Sequence, residues 1–146
     1  MKLPRRRWAE MTADDFRTGD AVAWIAVLPV AAIEQHGPHL PLSTDTAIAD
    51  GNIETVIEQL PPQLPVTVLP TLAYGKSNEH IDFPGTLTLS AATLSGVLLD
   101  IGESVSRAGI RKLVIANAHG GNTAVIDVAV RELRIRHDML AVHASW

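Results

Sequence analysis

Four side chains able to bind a metal or transfer a proton lie close together in the chain: Glu34, His36, His39 and Asp45. They follow a nearly continuous apolar run, so the sequence places them where a buried strand ends. Because alternate residues of an extended chain project to the same side, Glu34 and His36 can face one site. Carboxylate oxygens and imidazole nitrogens are ligands that zinc, manganese and iron accept. Since the chain contains no cysteine, a metal here must be held by histidine and carboxylate.

A further candidate, His119, follows a second apolar run and opens a glycine-rich turn. In an open parallel sheet the strands deliver their loops to one edge, where ligands bind. We therefore expect His119 to meet the first group of ligands there. Gly120 and Gly121 would let the backbone approach closely and would offer N–H donors to a carbonyl oxygen or an anion.

Each candidate has a simpler interpretation when it is taken singly. Glu34 could be a surface carboxylate, His36 and His39 loop histidines, and Asp45 a cap of the following helix. His119 could belong to a tight turn between a strand and a helix. The metal hypothesis depends on the combination, because a polar segment directly after a buried strand is a poor packing element and loops at that edge tend to carry function.

Strands and helices that could position these residues alternate along the chain. Four strands are predicted at Ala21–Val30, Val66–Leu69, Lys112–Ala116 and Met139–Ala144. Three helices are predicted at Asp45–Gln59, from the N-cap Ser90 to Ala108 before Gly109, and at Thr123–His137. This alternation predicts an α/β fold with three αβα layers and a mainly parallel sheet.

Length and composition limit the class of protein. The chain has 146 residues, 47% hydrophobic and 19% charged, which suits one cytoplasmic domain over 1–146. A net charge of -4, with dispersed basic residues, argues against nucleic acid or an anionic membrane as a partner. Residues 1–20 carry a basic cluster without an apolar segment, and we expect them to form a solvated arm.

The long segment from Tyr74 to Thr86 has two interpretations. It could be a solvated connection that contains only a turn. It could instead form a wall of a substrate pocket and place Ser77, Glu79 and His80 near the substrate.

Three blocks of sequence resemble the signature blocks of the creatininase (creatinine amidohydrolase) family. They are Glu34-Gln35-His36-Gly37-Pro38-His39-Leu40-Pro41 with Thr44-Asp45, Tyr74-Gly75 with Glu79-His80 and Phe83-Pro84-Gly85-Thr86, and Asn117-Ala118-His119-Gly120-Gly121-Asn122. The resemblance implies a metal-dependent hydrolase that cuts C–N bonds in amides, on an αβα fold that assembles into hexamers.

The resemblance also implies roles for individual residues. Glu34, Asp45 and His119 resemble the ligands of one metal, and His36 with a bridging Asp45 resembles part of the shell of a second. The implied substrate pocket contains Tyr74, Ser77, Glu79, Gly120, Gly121 and Trp146.

Two departures from the family pattern modify these expectations. Creatinine-hydrolysing members carry a metal-binding Glu where this chain has Gly121, so we expect another substrate, as in the mycofactocin-maturation peptidase and a formamide-cleaving relative. The family's later block, which supplies a catalytic histidine, is absent, and we expect the chain to be incomplete at its C-terminus. His39 and His80 are the nearby substitutes for that proton donor.

The sequence therefore predicts an amidohydrolase that uses two divalent cations (Zn, Mn or Fe) and a metal-activated water on a small amide or a short peptide. One alternative is a metal-binding, oligomer-forming fragment without turnover. Another is a mycofactocin-type peptidase. A metal-dependent sugar isomerase shares the fold class, but the chain shows no basic cluster for a phosphorylated substrate.

Overall fold

The computed structural model describes residues 3–146, in which four parallel strands form one sheet. The strands are β1 (Ile25–Val30), β2 (Val66–Val68), β3 (Lys112–Asn117) and β4 (Leu140–Ser145), in the order β2-β1-β3-β4. The helices are α1 (Ala13–Thr18), α2 (Thr44–Gln59), α3 (Ala91–Arg107) and α4 (Thr123–His137). Single 3-10 turns cover Trp8–Glu10, Ala21–Ala23, Asn78–His80 and Gly120–Asn122.

The central strands bury side chains on both faces of the sheet. Ala26 and Leu28 of β1 pack with buried residues of α3 and α4, such as Leu98 and Leu133. Val27 packs on the opposite face in a second cluster that contains residues of α2 and β2. Helices therefore cover both faces, and the predicted αβα arrangement with a parallel sheet is confirmed.

The prediction of the first strand is wrong over its first four residues. Residues Ala21–Ala23 form a 3-10 turn, in which the N–H of Trp24 donates to the carbonyl of Ala21 at 3.1 Å. This turn buries the Trp24 side chain in the core. An apolar run shows that residues are buried but does not distinguish an extended chain from a tight turn, whereas the other predicted strands and helices agree to within one residue at each end.

The ends of α3 follow the predicted capping chemistry. The Ser90 hydroxyl accepts a hydrogen bond from the N–H of Thr93 at 3.0 Å, which satisfies one of the free donors of the first turn. Gly109 follows the helix with a φ of 91°, a left-handed conformation that glycine adopts readily. None of the described helices is long and apolar enough to cross a membrane.

The N-terminal segment, for which we expected a solvated arm, has no buried residue over 3–20, but several of its side chains pack on the body of the protein. Arg7 pairs in parallel with Val68 at the edge of β2. The guanidinium of Arg6 donates to the carbonyl oxygens of Leu64 at 2.6 Å and Pro61 at 2.8 Å. The ring of Phe16 lies 4.7 Å from that of Trp8 and 5.8 Å from that of Trp24. The predicted arm also included Met1 and Lys2, which lie outside the described residues.

Replacing Phe16 tests this packing. We expect Phe16→Ala to lower the free energy of unfolding by about 2–3 kcal/mol, because it removes a half-buried ring between two tryptophans. Chemical denaturation followed by circular dichroism measures the change. The control Ile135→Ala, on the exposed surface of α4, should change it by less than about 0.5 kcal/mol. Equal effects of the two substitutions would contradict a packed arm.

Candidate metal centre

The loops that carry the predicted ligands leave neighbouring strands side by side. Val30, the last residue of β1, pairs with Asn117, the last residue of β3. The N–H of Ala118 still donates to the carbonyl of Val30 at 2.9 Å, so the two chains separate only beyond this point. The loop after β1 then delivers Glu34, and the loop after β3 delivers His119, to the same edge of the sheet.

Glu34, Asp45 and His119 form a buried cluster whose nearest ligand atoms all lie within 4.8 Å of one another. Nδ1 of His119 is 3.4 Å from Oε1 of Glu34 and 3.1 Å from Oδ2 of Asp45. Oε2 of Glu34 and Oδ2 of Asp45 are buried and accept no hydrogen bond from the described part of the chain. Buried carboxylate oxygens without a partner are costly unless a cation lies beside them. This donor set fits a divalent metal.

The surroundings of His119 determine which ring nitrogen carries the proton and which keeps a lone pair. Nε2 lies 2.9 Å from the carbonyl oxygen of Lys76. A carbonyl can only accept, so Nε2 carries the proton and Nδ1 of the neutral ring keeps its lone pair toward Glu34 and Asp45. A backbone acceptor behind the ring is how metal-binding histidines are commonly oriented.

His36 shows the same arrangement on the other side of Asp45. Its Nδ1 donates to the carbonyl oxygen of Glu34 at 3.1 Å, which leaves the lone pair on Nε2. Nε2 lies 3.0 Å from Oδ1 of Asp45. The two oxygens of Asp45 thus face different imidazoles, although the residue sits in the first turn of α2. This geometry favours a carboxylate shared between two cations over a helix cap.

The carboxylates also change the proton affinity of His119. Burial of the ring lowers its pKa, but Asp45, the carbonyl of Lys76 and the charge of Glu34 act in the opposite direction and prevail. The pKa of His119 is therefore raised above its ordinary value. In chemical terms, the space between these groups favours a positive charge, whether a proton or a metal ion.

His80 lies at the margin of the cluster with its proton directed inward. The amide oxygen of Gln35 accepts from the N–H of Gly37 at 3.0 Å, which orients the amide nitrogen of Gln35 toward Nδ1 of His80 at 3.1 Å. The amide donates to Nδ1, so the proton of the neutral ring is on Nε2, 3.8 Å from Oε1 of Glu34. Of the two predicted catalytic histidines, the structure brings this one to the site.

The segment between Lys76 and Glu79 surrounds the outer side of His119. Oγ of Ser77, a fully buried residue, lies 3.3 Å from Nε2 of His119. Oε1 of Glu79 lies 3.9 Å from the same nitrogen, and its Oε2 lies 3.5 Å from Nζ of Lys76. A Cβ at Gly121 would collide with the carbonyl of Lys76 and the carboxylate of Glu79, so this close approach requires glycine.

Partial burial acts to raise the pKa of Glu79. A backbone hydrogen bond, Lys76 and the charge of His119 outweigh that effect, so the pKa of Glu79 is lowered below its usual value and the carboxylate is ionised at neutral pH.

The remaining predicted site residues lie further out. Tyr74 and Trp146 are each about half exposed, at 51%. Gly120 is exposed in the turn before α4, and its missing side chain would meet open space. His39 is exposed, and no hydrogen bond or ion pair joins it to the described residues of the cluster.

Two buried asparagines hold the converging loops together, and sequence reasoning gave them no role. Asn117 forms two hydrogen bonds with the backbone of His119. Its amide N–H donates to the carbonyl of His119 at 2.7 Å, and its amide oxygen accepts from the N–H of His119 at 3.2 Å. Asn122 donates to the carbonyl of Ala31 at 3.1 Å and accepts from the N–H of Lys76 at 2.8 Å. Their position at both ends of the turn that contains His119 is the only sequence signal that could have indicated this role.

Comparison with known proteins supports the family resemblance of the three sequence blocks and the observed fold. The sequence profile described as creatininase, creatinine amidohydrolase, matches residues 9–146. The chain belongs to the creatininase family. It is 45% identical over 112 residues to a mycofactocin precursor peptide peptidase of Mycolicibacterium smegmatis, with 75% of this chain and 45% of the relative covered. A creatinine amidohydrolase of Pseudomonas putida is 38% identical over 136 residues, with 87% of this chain and 49% of the relative covered. The chain thus spans about half the length of these curated relatives.

Solved creatininase structures share the fold. A tryptophan-to-alanine mutant creatininase has a TM-score of 0.80 and 33% identity, with 99% of this chain and 58% of that chain covered. A mutant creatininase of the Zn-Zn type gives a TM-score of 0.80 and 32% identity over the same shares of the two chains. The family membership and the buried ligand cluster together imply divalent metal ions as cofactors.

Metal binding by this creatininase-family chain should depend on pH. Nδ1 of His119 must be free of its proton to bind a cation, and the pKa of His119 is raised. We therefore expect the affinity for Zn²⁺, measured by calorimetry, to fall about tenfold per pH unit below that pKa. His119→Ala should weaken binding and remove this part of the pH dependence, whereas His137→Ala should change neither. A wild-type affinity independent of pH would contradict the assignment.

Loss of Asn122 should destabilise the loops that form the site. Asn122→Ala leaves the carbonyl of Ala31 and the N–H of Lys76 without their partner, and we expect a loss of about 1–3 kcal/mol in the free energy of unfolding. The matched change Asn78→Ala, at an exposed position, should stay within about 0.5 kcal/mol of the wild type. If urea denaturation gives equal midpoints for both variants, the asparagine contacts do not hold the loops.

Proposed function

We propose that this chain carries the metal-binding part of an amidohydrolase that cleaves a C–N bond in an amide or a short peptide. The observation that carries the proposal is the position of Asp45. The two oxygens of this buried residue lie 3.0 Å from Nε2 of His36 and 3.1 Å from Nδ1 of His119. Each of these ring nitrogens directs a lone pair at the carboxylate of Asp45. Such an arrangement suits a site for two cations better than an ordinary network of surface hydrogen bonds.

The proposed roles follow from the contacts. Glu34, Asp45 and His119 would hold one cation, and Asp45 with His36 would contribute to a second. When bound, such cations polarise an amide carbonyl and acidify a water molecule. The carbonyl of Lys76 and the backbone of Glu34 keep the two imidazoles in the tautomers that this binding requires.

The departing amine needs a proton, and His80 is our candidate for its donor. Its Nε2–H faces the cluster, and the amide of Gln35 fixes its ring from the other side. General acid catalysis of this kind contributes about 10²–10⁴-fold to a rate. His80 is half-buried at the margin of the cluster, so a proton can be replaced from solvent after each turnover. His39, which is exposed, has no comparable contact.

The substrate class is drawn from the relatives and from the chemistry of the site. The curated relatives include peptidases of the mycofactocin precursor peptide and a creatinine amidohydrolase, which points to a peptide or a small cyclic amide. The greater identity to the peptidases favours a peptide. Zinc, manganese or iron as the metal, a hexameric assembly and a cytoplasmic location remain predictions.

Activity measurements on the metal-loaded chain test the proposal. Protein stripped with a chelator and reloaded with Zn²⁺, Mn²⁺ or Fe²⁺ is assayed against cyclic amides, formamides and short peptides. We expect hydrolysis that requires the metal, and a loss of about 10²-fold or more in kcat for His80→Ala with metal content unchanged. His36→Ala should reduce both metal content and activity.

His137→Ala, which removes a histidine at the end of α4, is the matched control and should behave as the wild type. Tight binding of metal without hydrolysis of any substrate would contradict the proposal and favour the fragment without turnover.

A further inference from the structure

A cavity of about 360 Å³ opens beside the candidate metal centre. It lies between the loop that follows β1 and the turn that precedes α3. Its walls are Gln35, Gly37, Pro38, Leu42, Phe83 and Pro84. The volume is at the lower end of the range of about 300–1,000 Å³ for small-molecule sites, and suits one side chain or ring better than a whole ligand.

His80 stands between this cavity and the metal ligands. Its ring contacts Phe83 edge to face, with centroids 6.1 Å apart, and its Nδ1 lies 3.1 Å from the amide of Gln35. Both of these neighbours line the cavity. On its other side, Nε2 of His80 lies 3.8 Å from Oε1 of Glu34. One imidazole ring, that of His80, thus lies between Glu34 and two residues of the cavity wall.

The walls are mostly apolar, with Gln35 as their one polar side chain, and the lining residues include no ionisable group. Leu42 is 37% exposed and Phe83 is 50% exposed, so their hydrophobic surface faces solvent. A charged group placed against these walls would lose hydration without gaining an ionic partner, whereas an apolar group would lose only unfavourable contact with water. The lining therefore selects apolar groups.

Backbone hydrogen bonds fix the walls in place. The N–H of Glu34 donates to the carbonyl of Leu42 at 3.0 Å, and the N–H of Phe83 donates to the carbonyl of His80 at 3.1 Å. Gly85 has a φ of 94°, and a Cβ at this position would lie 2.7 Å from Cδ1 of Leu42, so the turn presses directly on the leucine. A pre-formed wall requires little ordering when a ligand binds.

We propose that this cavity binds an apolar side chain of a peptide substrate, next to the scissile amide. The inference rests on the proposed function, because it takes the reacting amide to lie at the carboxylate cluster. A peptide residue spans about 3.3–3.6 Å, so a side chain one or two residues from the scissile bond reaches beyond one imidazole ring. The substrate class is thus a peptide with a large aliphatic or aromatic residue beside the cleaved bond.

Kinetics on matched peptides test the inference. The substrates share one backbone and carry Phe, Gly or Asp at the position next to the scissile bond. For the metal-loaded wild type we expect kcat/KM to be about 10-fold or more greater for Phe than for Gly, and lowest for Asp. Phe83→Ala and Leu42→Ala should each reduce the value for the Phe peptide about 10-fold more than the value for the Gly peptide.

Ile81→Ala is the matched control, because it truncates an exposed side chain in the same turn that does not line the cavity. Equal losses on the Phe and Gly peptides would show that Phe83 acts only through His80, and would overturn the inference. The absence of any preference for Phe would overturn it as well.

Binding measurements separate this inference from the proposed function. Acetyl-phenylalaninamide and acetyl-glycinamide are titrated into the metal-loaded chain by calorimetry. Selective binding of the phenylalanine compound that is lost in Phe83→Ala would support the cavity even if no peptide were hydrolysed. Hydrolysis without selectivity would leave the function and remove the cavity. Self-association that disappears in Phe83→Ala, measured by sedimentation, would assign the surface to a second copy of the chain and overturn the inference.

Discussion

Two imidazole lone pairs and two carboxylates face one another in a buried space, and the rest of the site follows from this arrangement. Nδ1 of His119 and Nε2 of His36 are both directed at Asp45. Neither nitrogen holds the proton of the neutral ring, because the opposite nitrogen donates its N–H to a backbone carbonyl. Electron pairs collected in this way repel one another unless a cation lies between them.

Strand pairing and side-chain hydrogen bonds hold the ligands in place against this repulsion. The exact pairing of Val30 with Asn117 brings two loops from distant parts of the chain to one point. Asn117 then holds the backbone of His119 on both sides, and Asn122 joins the loops that contain Ala31 and Lys76. Polar networks whose members are all satisfied are costly to rearrange in a buried place. The turn that carries His119 is therefore held to the neighbouring loops by side-chain amides.

Much of the fold was predictable from the sequence. Apolar runs indicate buried strands, and apolar residues at helical spacing indicate helices with one buried face. The convergence of Glu34, Asp45 and His119 was predictable for a related reason, since parallel strands end at one edge. The turn at Ala21–Ala23 was not, because its residues are as apolar as those of a strand. The packing of Phe16 was also missed, since it depends on partners far along the chain.

The finer features of the site depend on distances that no local pattern contains. The tautomer of His119 is set by the carbonyl of Lys76, which is 43 positions away in the chain. The orientation of His80 is set by Gln35 at a separation of 45 positions. A sequence shows which groups are present, but a carbonyl is present at every residue and carries no signal.

The contact at Gly121 links two parts of the chain that could otherwise vary independently. Because the carbonyl of Lys76 and the carboxylate of Glu79 occupy the volume of a side chain at position 121, no larger residue fits there while the segment keeps its path. A homologue with a side chain at this position must route the segment differently. The two regions should therefore covary during evolution, so that a change in the turn is accompanied by a change in the length or composition of the segment that faces it.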